Sequence, residues 1–156
     1  MTEVRLVTPD EFLACANYPA LFAEYAAESS TEGLPAPRPD MALYRALHAS
    51  GCMHTLAAFQ DGEIVGFLVM LAHQNPHYGV VLAVAESYFV AAAHRTGGAG
   101  LRLLRAAENH AQSLGAAGMF LSAPAGGKLE RMMQASSAYR HSNTVFFRAF
   151  QEAAHD

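Results

Sequence analysis

The chain has 156 residues, 52% of them hydrophobic and 15% charged, with no tryptophan and a formal net charge of −4. That length points to one domain over residues 1–156, with a core that removes roughly two-thirds of the unfolded surface from water. A mildly acidic balance without a basic stripe speaks against nucleic acid or an anionic membrane as partner.

Val4–Val7 alternates as a short first strand. Thr8-Pro9-Asp10-Glu11 then starts a helix: Thr8 caps, Pro9 suits the first position and Glu11 completes a capping box. Asn17-Tyr18-Pro19 ends it, and Pro19 opens a second helix through Ala27. Three prolines and a glycine between Ser29 and Pro39 make a surface loop, after which Asp40 caps a helix from Met41 to Ala49 that Gly51 stops. Met53–Phe59 and Ile64–Ala72, joined by Asp61-Gly62, read as a hairpin. A turn at residues 75–79 leads into a long strand, Val80–Val90. A helix follows Gly100 and runs to Leu114. Met119–Ser122 reads as a strand, Ala123–Gly127 as a turn and Lys128–Gln134 as a short helix. Tyr139–His141 and Thr144–Arg148 are expected to close the chain as two further strands. The order is mixed α/β, with a crossover of the right-handed kind. No internal repeat is visible.

Several function classes fall away on local grounds. Cys15 and Cys52 stand apart with no C-x-x-C pair, as small buried thiols of a reduced compartment do. Met1–Arg5 lacks the layout of a signal peptide, and no apolar run approaches the eighteen or so residues of a membrane span. A cytoplasmic location without membrane contact is therefore expected. His73 and His77 are four apart, but Pro76 breaks the helix that would align them, so no metal is expected. Ser122–Lys128 lacks the first glycine and, at Leu129, the hydroxyl of a nucleotide P-loop. Leu103 stands where a dinucleotide fingerprint needs its last glycine.

The chemistry concentrates in Arg95-Thr96-Gly97-Gly98-Ala99-Gly100, between the strand and the next helix. A glycine-rich turn that opens a helix aims several backbone amides at one point, with the positive helix end behind them. Phosphate or pyrophosphate is the natural guest. Arg95 adds a fixed charge suited to phosphate oxygens.

Val90, Ala92, Arg95, Gly98 and Gly100 together resemble the central signature of the GNAT superfamily of acyl-CoA-dependent N-acetyltransferases. Only Ala92 departs, where many members carry proline. The resemblance spans essentially the whole chain and implies a sheet of about seven strands with helices on both faces. It also implies acetyl-CoA as co-substrate. Amides of Thr96, Gly97, Gly98, Ala99, Gly100 and Leu101 would hold the pyrophosphate, and Ser122 would add a contact. The strand end at Tyr88, Phe89 and Val90 would splay from its neighbour to pair with the pantetheine arm, and the Val90 amide would face the developing oxyanion.

An amine near pKa 10 is mostly protonated at neutral pH, so a base must act before attack. Glu86 is the expected base; by simple alternation it shares a face with Tyr88 and Val90. Glu28, Ser29 and Tyr78 are candidates for holding the acceptor. Where many members place a proton-donating tyrosine this chain has Gln134, so Ser122, Ser136, Ser137 or water would take that part. The expected activity is direct transfer of acetyl from acetyl-CoA to a primary amine, a small molecule or a peptide, with homodimer formation allowed. The alternative is a non-catalytic acyl-CoA-binding or sensing module.

Overall fold

The computed structural model describes residues 1–150. Five strands form one mixed sheet in the order β1-β2-β3-β4-β5 among the described residues. They are β1 (Glu3–Val7), β2 (Met53–Gln60), β3 (Glu63–Asn75), β4 (Val80–Val90) and β5 (Met119–Leu121). The first four pair antiparallel, and β5 runs parallel to β4. Among the described residues five α-helices accompany them: α1 (Pro9–Leu13), α2 (Tyr18–Glu28), α3 (Met41–Ala49), α4 (Ala99–Ser113) and α5 (Lys128–Ala135). Ala92–Gly97 forms a short 3-10 helix between β4 and α4, an element the sequence reading does not contain.

Local chemistry explains most boundaries. Thr8 and Glu11 make the reciprocal capping box at the head of α1, and the Asp40 carboxylate accepts the Leu43 amide at the head of α3. Asp61 and Gly62 both take positive φ, 52° and 84°, as a two-residue hairpin turn of primed type requires. Where α1 ends early, at Leu13, the Asn17 side-chain amide bonds the Ile64 backbone in both directions, 2.8 and 3.2 Å, and ties the α1–α2 turn to β3.

The sheet carries a core on each face. On one, α4 lays Ala99, Leu103, Leu104, Ala107 and Ala111 against Leu56, Leu68, Met70, Ala83 and Ala85. On the other, Leu21 of α2 packs with Val7, Met53, Phe67, Val69 and Phe89, flanked by rings from α1, α2 and α3. Gly66 is required by this packing. A Cβ there would lie 2.7 Å from the Phe89 carbonyl oxygen and 3.2 Å from Leu103.

The expected sheet of about seven strands is therefore corrected to five. Residues 139–141 and 144–148 have strand-forming composition, but neither joins the sheet; Val145 and Phe146 are 82% and 90% exposed. Tyr139 instead reaches back to α4, where its hydroxyl donates to the Glu108 carboxylate. A strand needs a partner edge, and among the described residues β5 spans three residues with no strand beyond it.

Candidate active site

The site begins where two parallel strands part. β4 and β5 pair at Ala83–Met119, Val84–Phe120 and Ala85–Leu121, and no further. From Ser87 to Val90, β4 keeps its β3 partner but has an open second edge. The Ala83 amide donates to Gly118 on the β5 side, whereas the Ala91 amide donates to Val65 on the β3 side. Successive amides of a strand point to opposite edges, so the Tyr88 and Val90 amides face the opening. The Ser122 side chain lies exposed just past the last β5 pair.

At the head of this opening stands the N-terminus of α4. No side chain caps it, and Gly98, its N-cap, is left-handed at φ 77°. A Cβ at Gly97 or at Gly98 would meet no heavy atom within 4 Å, so the space before the helix is clear. The first amides of α4 have no intrahelical acceptor and sit at the positive end of the helix dipole. This donor set fits an anionic diphosphate.

Arg95 is placed otherwise than the sequence suggests. Its Nε donates to the Val90 carbonyl at 2.8 Å, its guanidinium pairs with Glu28 at 2.7 Å, and it stacks 5.4 Å from the Phe89 ring centre. Glu24, one helical turn before Glu28, accepts the Ala92 amide at 2.7 Å. Two carboxylates of α2 thus hold the 3-10 turn that delivers the chain into α4. Arg95 and Glu28 together set the shape of the turn.

Glu86 sits at a β-bulge. Val69 pairs with Ser87 and Met70 with Ala85, which leaves Glu86 as the extra residue. Before the bulge Ala83 and Ala85 face α4; after it Tyr88 and Val90 do. The expectation that Glu86 shares a face with Tyr88 and Val90 is thereby overturned. The inserted residue reverses the phase, and Glu86 and Ser87 both turn to the opposite side, toward α1, α2 and α3.

There they line a cavity of about 300 Å³ walled by Phe12, Tyr18, Phe22, Tyr25, Tyr44 and Phe67. Burial, and then the negative charge of Glu86, hold the Tyr44 hydroxyl well above the ordinary tyrosine range. Tyr25 is raised by burial and then by the same carboxylate, with the Ser29 and Ser87 hydroxyls opposing the rise. Ser29, half-buried at the end of α2, is not part of the pocket wall. Tyr88, on the α4 side, is pushed up by burial to about 12.

Tyr78 is not brought to the site. It is 63% exposed in the β3–β4 turn, and Val80 to Glu86 alone is roughly 20 Å of extended strand. Gln134 bonds Glu130 within α5 at 3.2 Å. The sequence reading missed Tyr44, Met41 and Thr55 as pocket wall. Each belongs to a pattern that locally reads as a helix face or strand interior.

A mixed sheet parted beside β4, with a helix N-terminus at the head of the parting, defines the acetyltransferase type of α/β fold. The chain belongs to the GNAT family of acetyltransferases: residues 18–128 match the model described as "Acetyltransferase (GNAT) family". No curated protein sequence matches it. Among solved structures it resembles a ribosomal-protein-alanine N-acetyltransferase from Brucella melitensis biovar Abortus 2308, with 21% identity, TM-score 0.68 and coverage of 95% of this chain and 99% of that one. It also resembles the aminoglycoside acetyltransferase meta-AAC0020 from an uncultured soil metagenomic sample, at 14% identity, TM-score 0.74 and 96% and 97% coverage. A third is AAC(6')-Iy in complex with a CoA-containing bisubstrate analog, at 14% identity, TM-score 0.71 and 95% and 97% coverage. Identities this low speak for the fold alone. No helix among the described residues is long and apolar enough to cross a membrane.

Proposed function

We propose that this protein transfers an acetyl group from acetyl-CoA to a primary amine held in the aromatic pocket, by direct attack and without a covalent enzyme intermediate. The observation that carries this reading is the bulge at Glu86. At one level of β4 it turns a carboxylate into the pocket while the following amides face the opening toward β5.

Acetyl-CoA supplies an activated thioester. The amides from Thr96 to Leu101 and the α4 dipole bind its diphosphate, with Ser122 across the opening. The Tyr88 and Val90 amides pair with the arm, and Val90 is aimed at the oxygen where negative charge develops. Glu86 attracts the ammonium form of the acceptor and takes its proton, directly or through water, so that the lone pair is free to attack. Glu86 itself is exposed, so water reaches it and can carry the proton away.

Gly97→Val tests the coenzyme cradle. Its Cβ points into clear space and Gly97 lacks a positive φ, so the fold is expected to stay intact. The side chain would stand where the diphosphate binds. Calorimetric titration should show CoA affinity reduced at least about tenfold, or about 1.4 kcal/mol, with Tm unchanged. Unchanged affinity would remove the α4 N-terminus from the reading. Tight CoA binding with no thiol release from any amine would favour a sensing module instead.

A further inference from the structure

The pocket beside Glu86 suits one kind of amine. Five of its six aromatic rings brace one another: Phe12 and Tyr25 both meet Phe67 edge-on, at 5.3 and 5.2 Å, and Phe22 stacks on Tyr18 at 5.7 Å. The wall is thus pre-formed, and its volume of about 300 Å³ lies at the lower end of the range for ligand pockets, about 300–1,000 Å³. Two lining residues are acidic, Asp40 and Glu86, and one is basic, Arg38. Asp40 caps α3 through one carboxylate oxygen on the Leu43 amide and keeps its charge, which Arg38 matches in the lining, so the balance is one net negative charge. Glu86 has no ion pair among the described residues.

One net negative charge beside ring faces answers one ammonium. The rings add favourable cation–π attraction to that same charge and welcome an apolar body behind it. A second ammonium would exceed that charge balance and would meet Arg38. A body covered in hydroxyls would give up its water for a wall made mostly of rings and other apolar side chains.

We infer that the acceptor is a compact primary monoamine with an apolar, preferably aromatic, body; the inference rests on the proposed acetyl transfer. The nitrogen–carbonyl bond forms as the carbon–sulfur bond breaks. Of the two protons the ammonium nitrogen sheds, one passes to Glu86 and on to water, and the other ends on the sulfur of the released thiol.

The test compares 2-phenylethylamine with spermidine and with kanamycin as acceptors, following thiol release from acetyl-CoA, and measures binding of each amine by calorimetry. The expected result is a kcat/KM at least tenfold higher for 2-phenylethylamine than for either polycation. Equal or better use of spermidine or kanamycin overturns the acceptor class while leaving acetyl transfer in place. Coenzyme binding without thiol release from any amine would instead sink the transfer itself, and the acceptor with it. A second variant probes the charge count. Met41 lines the pocket as the first residue of α3, where a negative charge is well tolerated. Met41→Asp should raise the kcat/KM ratio of 1,5-diaminopentane to 2-phenylethylamine at least fivefold. An unchanged ratio would refute the charge-balance argument.

Discussion

Gly100 and Tyr88 offer a quantitative check on the packing that shapes the coenzyme cradle. Gly100 is the second residue of α4, and a Cβ on it would lie 2.7 Å from the Tyr88 hydroxyl oxygen. The next neighbours, Tyr88 Cζ and Val90 Cγ2, would both be at 3.6 Å, an ordinary contact. In Gly100→Ala the clash therefore belongs to one atom. Overpacking of this kind costs about 1–3 kcal/mol, against a helix-propensity gain of up to about 1 kcal/mol for alanine over glycine. The single variant should lose about 0–2 kcal/mol by that difference. In the Tyr88→Phe background the oxygen is gone, and the same Gly100→Ala change should stabilise by about 0.5–1 kcal/mol. The coupling is the clash itself, about 1–3 kcal/mol. Urea denaturation followed by far-ultraviolet circular dichroism reads it directly, which suits a chain with no tryptophan. CoA affinity lost in Gly100→Ala should return in the double variant as the α4 amides regain their places. A coupling below about 0.5 kcal/mol, the limit for independent sites, would refute the contact between α4 and β4 on which the cradle depends.

Glu86→Gln should lower kcat/KM most near neutral pH and less as pH rises, because free amine becomes abundant without a base; a uniform loss at every pH would assign Glu86 to positioning alone. Arg95→Ala removes the bonds to the Val90 carbonyl and to Glu28, and with a side chain 36% exposed the stability lost should be about 1 kcal/mol. CoA affinity should fall as well, and Arg95→Lys should restore little because lysine cannot bond both partners with one rigid fork; full recovery would mean that charge alone matters. His110 and His54 share a ring-nitrogen hydrogen bond of 2.9 Å. Burial lowers both pKa values, and proximity to His54 lowers that of His110 further. The unfolded chain therefore takes up protons first as pH falls. The stability from neutral histidines is present above about pH 6.5 and is lost as pH drops through that value toward the lowered ones. Tm should decline over that window in the native protein and decline less in His110→Gln, as thermal melts between pH 7.5 and 5 would show; parallel profiles would contradict the assignment.

Features encoded within one turn of chain were legible. The capping box at Thr8 and Glu11, the Asp40 cap, the Asp61-Gly62 hairpin and the glycine-opened α4 each depend on neighbours a few residues away. The C-terminal strands were misread for a matching reason. Thr144–Arg148 has the composition of a strand, but composition supplies no partner edge. Glu86 was found as a residue and misplaced as a side chain. Nothing in Ala85-Glu86-Ser87 announces the extra residue, which becomes visible only when β4 is laid against β3.

By itself, then, the sequence determined a glycine turn that opens a helix, because backbone conformation there is set by local sterics. Tertiary structure decided which way Glu86 faces, what Arg95 holds, and that rings from α1, α2, α3 and β3 line the same cavity as Glu86. Those outcomes depend on strand register and on contacts between segments far apart in the chain, and pairing of that kind is fixed only when the whole sheet assembles.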